Sequence, residues 1–229
     1  MKRSIAVLIA AILGLVLAGC GSSAPSQAKL SSDQLLAKAR AYVNSHHDVS
    51  LSGKIDQGGG ETSLDLKYSG EDSFGTIKLS GATIDLESIG GTTYFKPSKE
   101  FWTQQLPQAQ AGLVSKLIGD RWIIADPANA NFAQLIEVAK RAFLTDTVLT
   151  PEGKAAKGKV TTISGIKAIP LTLAHGSIYL ADSDARPLQI KGSGSGGSGT
   201  ADFSYDKVTM PAAPTAKEQV DLSKLMSAK

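Results

Sequence analysis

From Val49 to Lys96 the chain alternates apolar and polar residues and is cut at short intervals by glycine. Val49, Leu51 and Ile55 alternate with Ser50, Ser52 and Lys54, and Leu64, Leu66 and Tyr68 alternate with Ser63, Asp65 and Lys67. Ile77 with Leu79 and Ile84 with Leu86 repeat the pattern before a last run, Thr92 to Lys96. A period of two sends one set of side chains to one face of a sheet. Gly58-Gly59-Gly60, Ser69-Gly70-Glu71-Asp72, Gly81 and Gly90-Gly91 supply turns, so the segment predicts an antiparallel meander. Its apolar face must be covered by something else in the chain.

The cover is legible on either side. Ser31 and Gln34 have the spacing of a capping box, and Leu35, Leu36, Ala39, Tyr42 and Val43 follow at helical intervals to a stop near Asn44. After Phe101 and Trp102, Pro107 is expected as a first helical residue, with Leu113, Val114, Leu117 and Ile118 forming a stripe that ends at Gly119. Arg121 to Ala125 reads as a short strand. Phe132, Leu135, Ile136, Ala139 and Phe143 then mark one amphipathic helix capped near Asn129 or Asn131. Strands return at Val160–Ile163, Ile166–Ala174, Ser177–Ala181, Pro187–Lys191 and Ala201–Tyr205. Helix, meander, helices, meander predicts the α+β class: one large curved antiparallel sheet with helices packed on one side. A split into two domains near Pro151 to Gly158 is the alternative, but neither half carries enough cover alone. The Gly/Ser run Gly192–Gly199 is expected as a long, mobile hairpin loop, and the tail from Met210, with Pro211 and Pro214, as an extended strap.

The first thirty residues have a different character. Lys2 and Arg3 precede an apolar run from Ile5 to Ala18, the layout of a secretory signal rather than of a spanning helix. The run ends in Leu17-Ala18-Gly19-Cys20, which resembles the bacterial lipobox, where the cysteine thiol accepts a diacylglyceryl group. The expected division is a signal peptide over 1–19, a lipidated flexible tether over 20–30, and a single α+β domain over 31–229. An ordinary secretory signal with a chance cysteine, or an uncleaved anchor helix, are the other readings. Two acyl chains give stable membrane attachment where one is marginal. Removing 1–19 takes two basic residues and no acidic one, so the net charge of +3 falls to +1. With no basic run outside the N-terminus, nothing argues for nucleic acid. Cys20 is the only cysteine, so no intramolecular disulfide is available.

No arrangement of residues signals catalysis, a metal or a cofactor. His46 and His47 are neighbours, which on a strand point to opposite faces, and His175 stands alone before a glycine. Gly192, Gly194 and Gly197 fit G-x-G-x-x-G literally but lie between strands, where the motif requires a following helix. Asp182 and Asp184 sit in an expected turn, a usual place for aspartate. The remaining constellation is apolar. Leu51, Leu64, Leu66, Ile77, Leu79, Ile84 and Leu86 should share the inner face of the first meander, opposite Leu135, Ile136, Ala139 and Phe143. Such residues form an ordinary core or the lining of a cavity. Aromatics are only 6% of the chain, which leaves few bulky side chains to fill a wide sheet.

The order of elements, with several short stretches, resembles the LolA-like bacterial lipoproteins of the actinobacterial LppX/LprG branch. Thr92-Thr93-Tyr94-Phe95-Lys96 followed by Phe101 resembles the family's strand leading into its helices, and Gly119-Asp120-Arg121-Trp122-Ile123 resembles its tryptophan-containing strand. Ile163–Ala168, Gly176–Ala181, Arg186–Ile190 and Phe203-Ser204-Tyr205 with Pro211–Pro214 resemble its C-terminal strands and ending. The resemblance implies a half-barrel sheet with helices on its concave face, enclosing a hydrophobic cavity for lipid or glycolipid acyl chains. It implies a non-enzymatic role in carrying or presenting envelope lipids, on a membrane held through Cys20. The rival expectation is an envelope protein-interaction module with a filled core, which would show an exposed apolar patch and no cavity of several hundred Å³.

Overall fold

The computed structural model describes residues 26–56, 61–194 and 197–222. The capping box forms as the spacing requires. Ser31 Oγ accepts from the Gln34 backbone N–H at 3.2 Å, and Gln34 Oε1 accepts from the Ser31 N–H at 2.9 Å. Helix α1 (Ser32–Ser45) then buries Leu35, Leu36, Ala39 and Val43. Tyr42 lies off that face, its ring stacked on His46 at 4.0 Å between centroids.

The meander comprises β1 (Asp48–Asp56), β2 (Glu61–Ser69), β3 (Asp72–Leu79), β4 (Ala82–Ile89) and β5 (Thr92–Pro97). Its register pairs Leu51 with Leu66, Leu66 with Gly75, Gly75 with Leu86, and Leu86 with Phe95, so one row crosses five strands on the inner face. Two glycines let this surface curl. A Cβ on Gly75 would lie 2.0 Å from the Asp65 carbonyl oxygen, and one on Gly53 2.3 Å from that of Thr200. At both points neighbouring backbone occupies the space a side chain would take, the use of strand glycine at tight bends.

The second meander is β7 (Ala156–Lys157), β8 (Thr161–Ile163), β9 (Ile166–Leu173), β10 (Gly176–Ala181), β11 (Pro187–Gly194) and β12 (Gly197–Ser204). Strand β1 joins the two halves, since Leu51 faces Leu66 on one side and Phe203 on the other. The result is one curved, unclosed sheet. Its order is β13-β6-β5-β4-β3-β2-β1-β12-β11-β10-β9-β7, with β8 paired to β9, β6 being Trp122–Ile124 and β13 being Gln219–Val220. Every pairing is antiparallel except β13 with β6. The chain reaches β13 by an extended path from the middle of the sheet to its edge, along which the Val208 N–H donates to Asp48 and Pro214 is buried.

Three local expectations are corrected. The Gly192–Gly199 run is not a loop along its length: Gly192 pairs with Gly199, Ser193 with Ser198 and Gly194 with Gly197. Ladder hydrogen bonds need only backbone, and a Gly/Ser strand carries no alternation for the eye to find. The stripe on α3 (Gln108–Ile118) is also misplaced. Ala111 and Ile118 are buried, whereas Leu113 and Leu117 are 69% and 55% exposed, and Pro107 is the N-cap rather than the first helical residue.

The third correction is the helix expected through Phe143. It breaks into a 3-10 turn (Ala130–Phe132), α4 (Ala133–Ala139) and a π turn (Phe143–Val148), with Lys140 extended between the last two. Arg141 explains the break. It is 8% exposed, and its guanidinium donates to the carbonyls of His47 (2.9 Å), Gly70 (3.4 Å), Val43 (2.5 Å) and His46. It thereby satisfies the last carbonyls of α1, where a cation is favoured by the helix dipole. Burial holds its pKa below the usual guanidinium range, partly offset by Glu71 and Asp48. Two carbonyls that a continuing helix would have used instead accept from the sheet: Tyr68 Oη donates to Val138 at 2.8 Å and Ser73 Oγ to Ala139 at 2.6 Å.

The N-terminal segment is held against the domain. Gln27–Lys29 forms one 3-10 turn, the Ser26 hydroxyl donates to Asp182 at 2.7 Å, and the Gln27 N–H donates to the Asp182 carbonyl at 2.7 Å. Lys157 Nζ donates to the Ala28 and Leu30 carbonyls, and both those side chains pack on the core. Residues 26–30 of the expected tether are therefore bound to the domain. Cys20 and the signal-like segment lie outside the described residues.

Candidate functional site

Between the inner face of β2–β4 and the helices lies an apolar cavity of about 360 Å³. The sheet contributes Thr62, Leu64, Leu66, Ile77, Leu79 and Ile84; α2 (Lys99–Gln105) contributes Phe101 and Gln105; α4 and the π turn contribute Gln134, Leu135, Val138 and Phe143. The alternation explains the sheet side, because every second residue of β2 and β3 points inward. The helix side follows from spacing: Gln134, Leu135 and Val138 lie within one turn of α4.

The cavity is graded from closed to open. Leu66 is 2% exposed, and beyond it the Tyr68–Val138 hydrogen bond ties sheet to helix. At the other end Leu79 is 40% exposed, with Gln105 and Gln134 exposed beside it. Among the described residues no ionisable side chain lines the space. The polar lining among the described residues comes from Thr62, Gln105 and Gln134, which accept and donate hydrogen bonds without charge. Such a surface retains apolar matter by burial.

Of the residues expected to line a cavity, Leu64, Leu66, Ile77, Leu79, Ile84, Leu135 and Phe143 are brought together here. Leu51, Leu86 and Ala139 instead belong to the solid core, and Ile136 packs against that core from outside it. Thr62, Phe101, Gln105, Gln134 and Val138 line it as well, outside the expected set. Val138 stands one helical turn after Leu135 and could have been found that way; the approach of α2 to β4 that delivers Phe101 is a tertiary fact.

Elsewhere the surface offers less specific chemistry. A shallower hollow of about 820 Å³ lies on the outer face of β1–β3 and β12, lined by Ser52, Lys54, Ser63, Asp65, Thr76, Lys78, Thr200 and Asp202. Its mixture of polar groups and both charges is that of an ordinary solvated sheet face. His46 and His47 are engaged locally: His47 Nδ1 lies 2.8 Å from Asp48 Oδ1, and His46 Nδ1 lies 2.8 Å from the Tyr42 carbonyl. Hydrogen bonds from Ser69, His47 and the Val208 N–H hold the Asp48 carboxyl at about 2, against an ordinary 3.8. Burial raises the pKa of the Glu87 carboxyl, whose Oε2 has no hydrogen-bond partner among the described residues. Among the described residues no group of three His, Cys, Asp or Glu could hold a metal ion, and no helix is long and apolar enough to cross a membrane.

No protein-family profile matches the sequence, and no curated protein matches it. Solved structures do. LprF from Mycobacterium bovis superposes with a TM-score of 0.50 at 12% identity, over 82% of this chain and 98% of its own. The lipoprotein LppX of Mycobacterium tuberculosis gives 0.44 at 14% identity, over 79% and 100%. An uncharacterized conserved protein from Thermus thermophilus gives 0.42 at 10%, over 82% and 98%. The chain has the fold of LprF, the LolA-like LppX/LprG fold that its sequence resembles.

Proposed function

We propose that this chain is a single-domain bacterial envelope lipoprotein, anchored outside the cytoplasmic membrane through Cys20, that holds an acyl chain of a lipid or glycolipid in the cavity between β2–β4 and the helices, for carriage or presentation and without catalysis. The observation that carries this reading is the uncharged, apolar lining of a cavity of about 360 Å³ that opens at Leu79. That volume is at the small end of ligand sites, which suits one chain rather than several. Burying about ten methylenes contributes roughly 8 kcal/mol, the scale of a micromolar Kd before ordering costs are subtracted. A solid core could not open such space cheaply. The fold shared with LprF supports the reading, as does the lipobox-like Leu17–Cys20.

Titrating the full chain carrying Cys20→Ala with a fluorescent fatty-acyl probe tests it. Saturable binding, displaced by unlabelled lipid, is the expected result; linear, non-saturating uptake would count against a defined site. Leu113 and Leu117 project into solvent from α3 and favour a second reading, a contact with an envelope protein on that helix. The two are compatible, because neither leucine lines the cavity.

A further inference from the structure

The sheet has two ends, and the cavity and the N-terminal segment lie at opposite ones. At the first end Thr62 pairs with Leu79, Leu79 with Ala82, Ile84 with Pro97, and Gly192 with Gly176. This is where the cavity opens. At the second end Ser69 pairs with Asp72, Ser50 with Ser204, Gln189 with Asp202, and Leu180 with Pro187. Asp182 and Ser183 follow β10 at that second end. They are the residues that receive the N-terminal segment, through Ser26 and Gln27 Nε2 as well as the Gln27 backbone, while Lys157 holds the next turn.

We propose that the cavity opens away from the bilayer that holds Cys20, so that lipid is exchanged at the free end of the domain with a partner other than the anchoring membrane. The inference rests on the reading of Cys20 as the lipid anchor. Its measure is a comparison of lengths. From Cys20 to Ser26 is six residues, which at full extension span about 21 Å. The nine residues of β2, which run from the open end to the other, span roughly 27 Å. Turning the domain over to press its rim on the bilayer would lift Ser26 by about the height of the sheet, to or beyond the limit of a fully stretched leash. Had residues 26–30 been free, the leash would reach well past that height and either orientation would be accessible. The bonds at Asp182, Ser183 and Lys157 are thus what gives the molecule a direction.

The test uses the full lipidated chain in phosphatidylcholine vesicles containing a headgroup-quencher lipid. Acylation occupies the Cys20 thiol, so Ser183→Cys and Ser80→Cys each introduce a single labelling site, both at exposed positions at the two ends. The expected result is quenching several-fold stronger for a fluorophore on the Ser183 position than for one on Ser80. Inserting a long glycine-serine segment after Pro25 is expected to bring the two values together. Equal or stronger quenching at Ser80 in the chain without the insert would overturn the orientation. Failure of the chain to float with vesicles at all would remove the anchor, and the orientation with it.

Discussion

The Tyr68 hydroxyl donates to the Val138 carbonyl at 2.8 Å, joining β2 to the last turn of α4 just beyond the closed end of the cavity. Burial raises the pKa of the phenol, so it remains a donor throughout the working pH range. Tyr68→Phe keeps the ring and leaves the half-buried Val138 carbonyl without its partner. The expected cost is about 1–3 kcal/mol, read as a lower urea midpoint with an unchanged slope. A midpoint equal to that of the unmodified chain would show that the bond does not hold the floor.

Arg141 is the stronger tie, because one guanidinium serves carbonyls from α1 and from the turns flanking β1 and β2. Arg141→Met fills much of the volume but strands the buried Val43 carbonyl and the half-buried carbonyls of His46, His47 and Gly70. A loss of roughly 2–4 kcal/mol is expected, larger than for Tyr68→Phe. Thermal melts of both variants check the ranking; equal midpoints would contradict it.

These two residues also mark the boundary of what the sequence makes legible. The capping box at Ser31, the five strands of the first meander and the inward Leu64, Leu66, Ile77 and Leu79 follow from spacing and alternation, which are local. The break after Ala139 does not, because its cause is the demand of α1 carbonyls far away in the chain for a cation at position 141. Nor does the paired Gly192–Gly199 segment, whose backbone bonds leave no trace in side-chain pattern. Leu51 and Leu86 have the same alternation as Leu64 and Ile77, yet lie in solid core, since what stands above each strand decides between filling and space.

Asp48 gives the fold a predicted acid sensitivity. Its folded value of about 2 is below its ordinary 3.8, so its bonds to Ser69, His47 and Val208 stabilise fully above the ordinary value. That stabilisation is lost as pH falls from about 4 toward 2 and is absent below. Asp48→Asn should lower stability at pH 7 and flatten the decline over that window, as measured by urea midpoints across pH. A variant whose decline paralleled that of the original chain would assign the acid sensitivity elsewhere.

Gly75 tests the curvature on which the cavity depends. A methyl at this position meets the Asp65 carbonyl oxygen at 2.0 Å, so backbone must move. Gly75→Ala is expected to cost about 1–3 kcal/mol or more, whereas an alanine at Gly112, inside α3 and with no described atom within 4 Å of the new methyl, should stabilise by up to about 1 kcal/mol. Denaturant midpoints of the pair check it; equal costs at the two sites would remove the steric account.

The central claim is that the space between β2–β4 and the helices is a lipid site. The most direct measurement is native mass spectrometry, with extraction of bound lipid, on full chains carrying Cys20→Ala and purified from a lipid-producing bacterial host. Leu79→Trp fills the mouth from a position already partly exposed, and Leu113→Trp places the same ring on solvent-facing α3 as a control. The account predicts a stoichiometric co-purifying lipid in the parent and in Leu113→Trp, and a clear fall in Leu79→Trp with an unchanged melting temperature. A parent chain free of lipid, or occupancy untouched by Leu79→Trp, would contradict it.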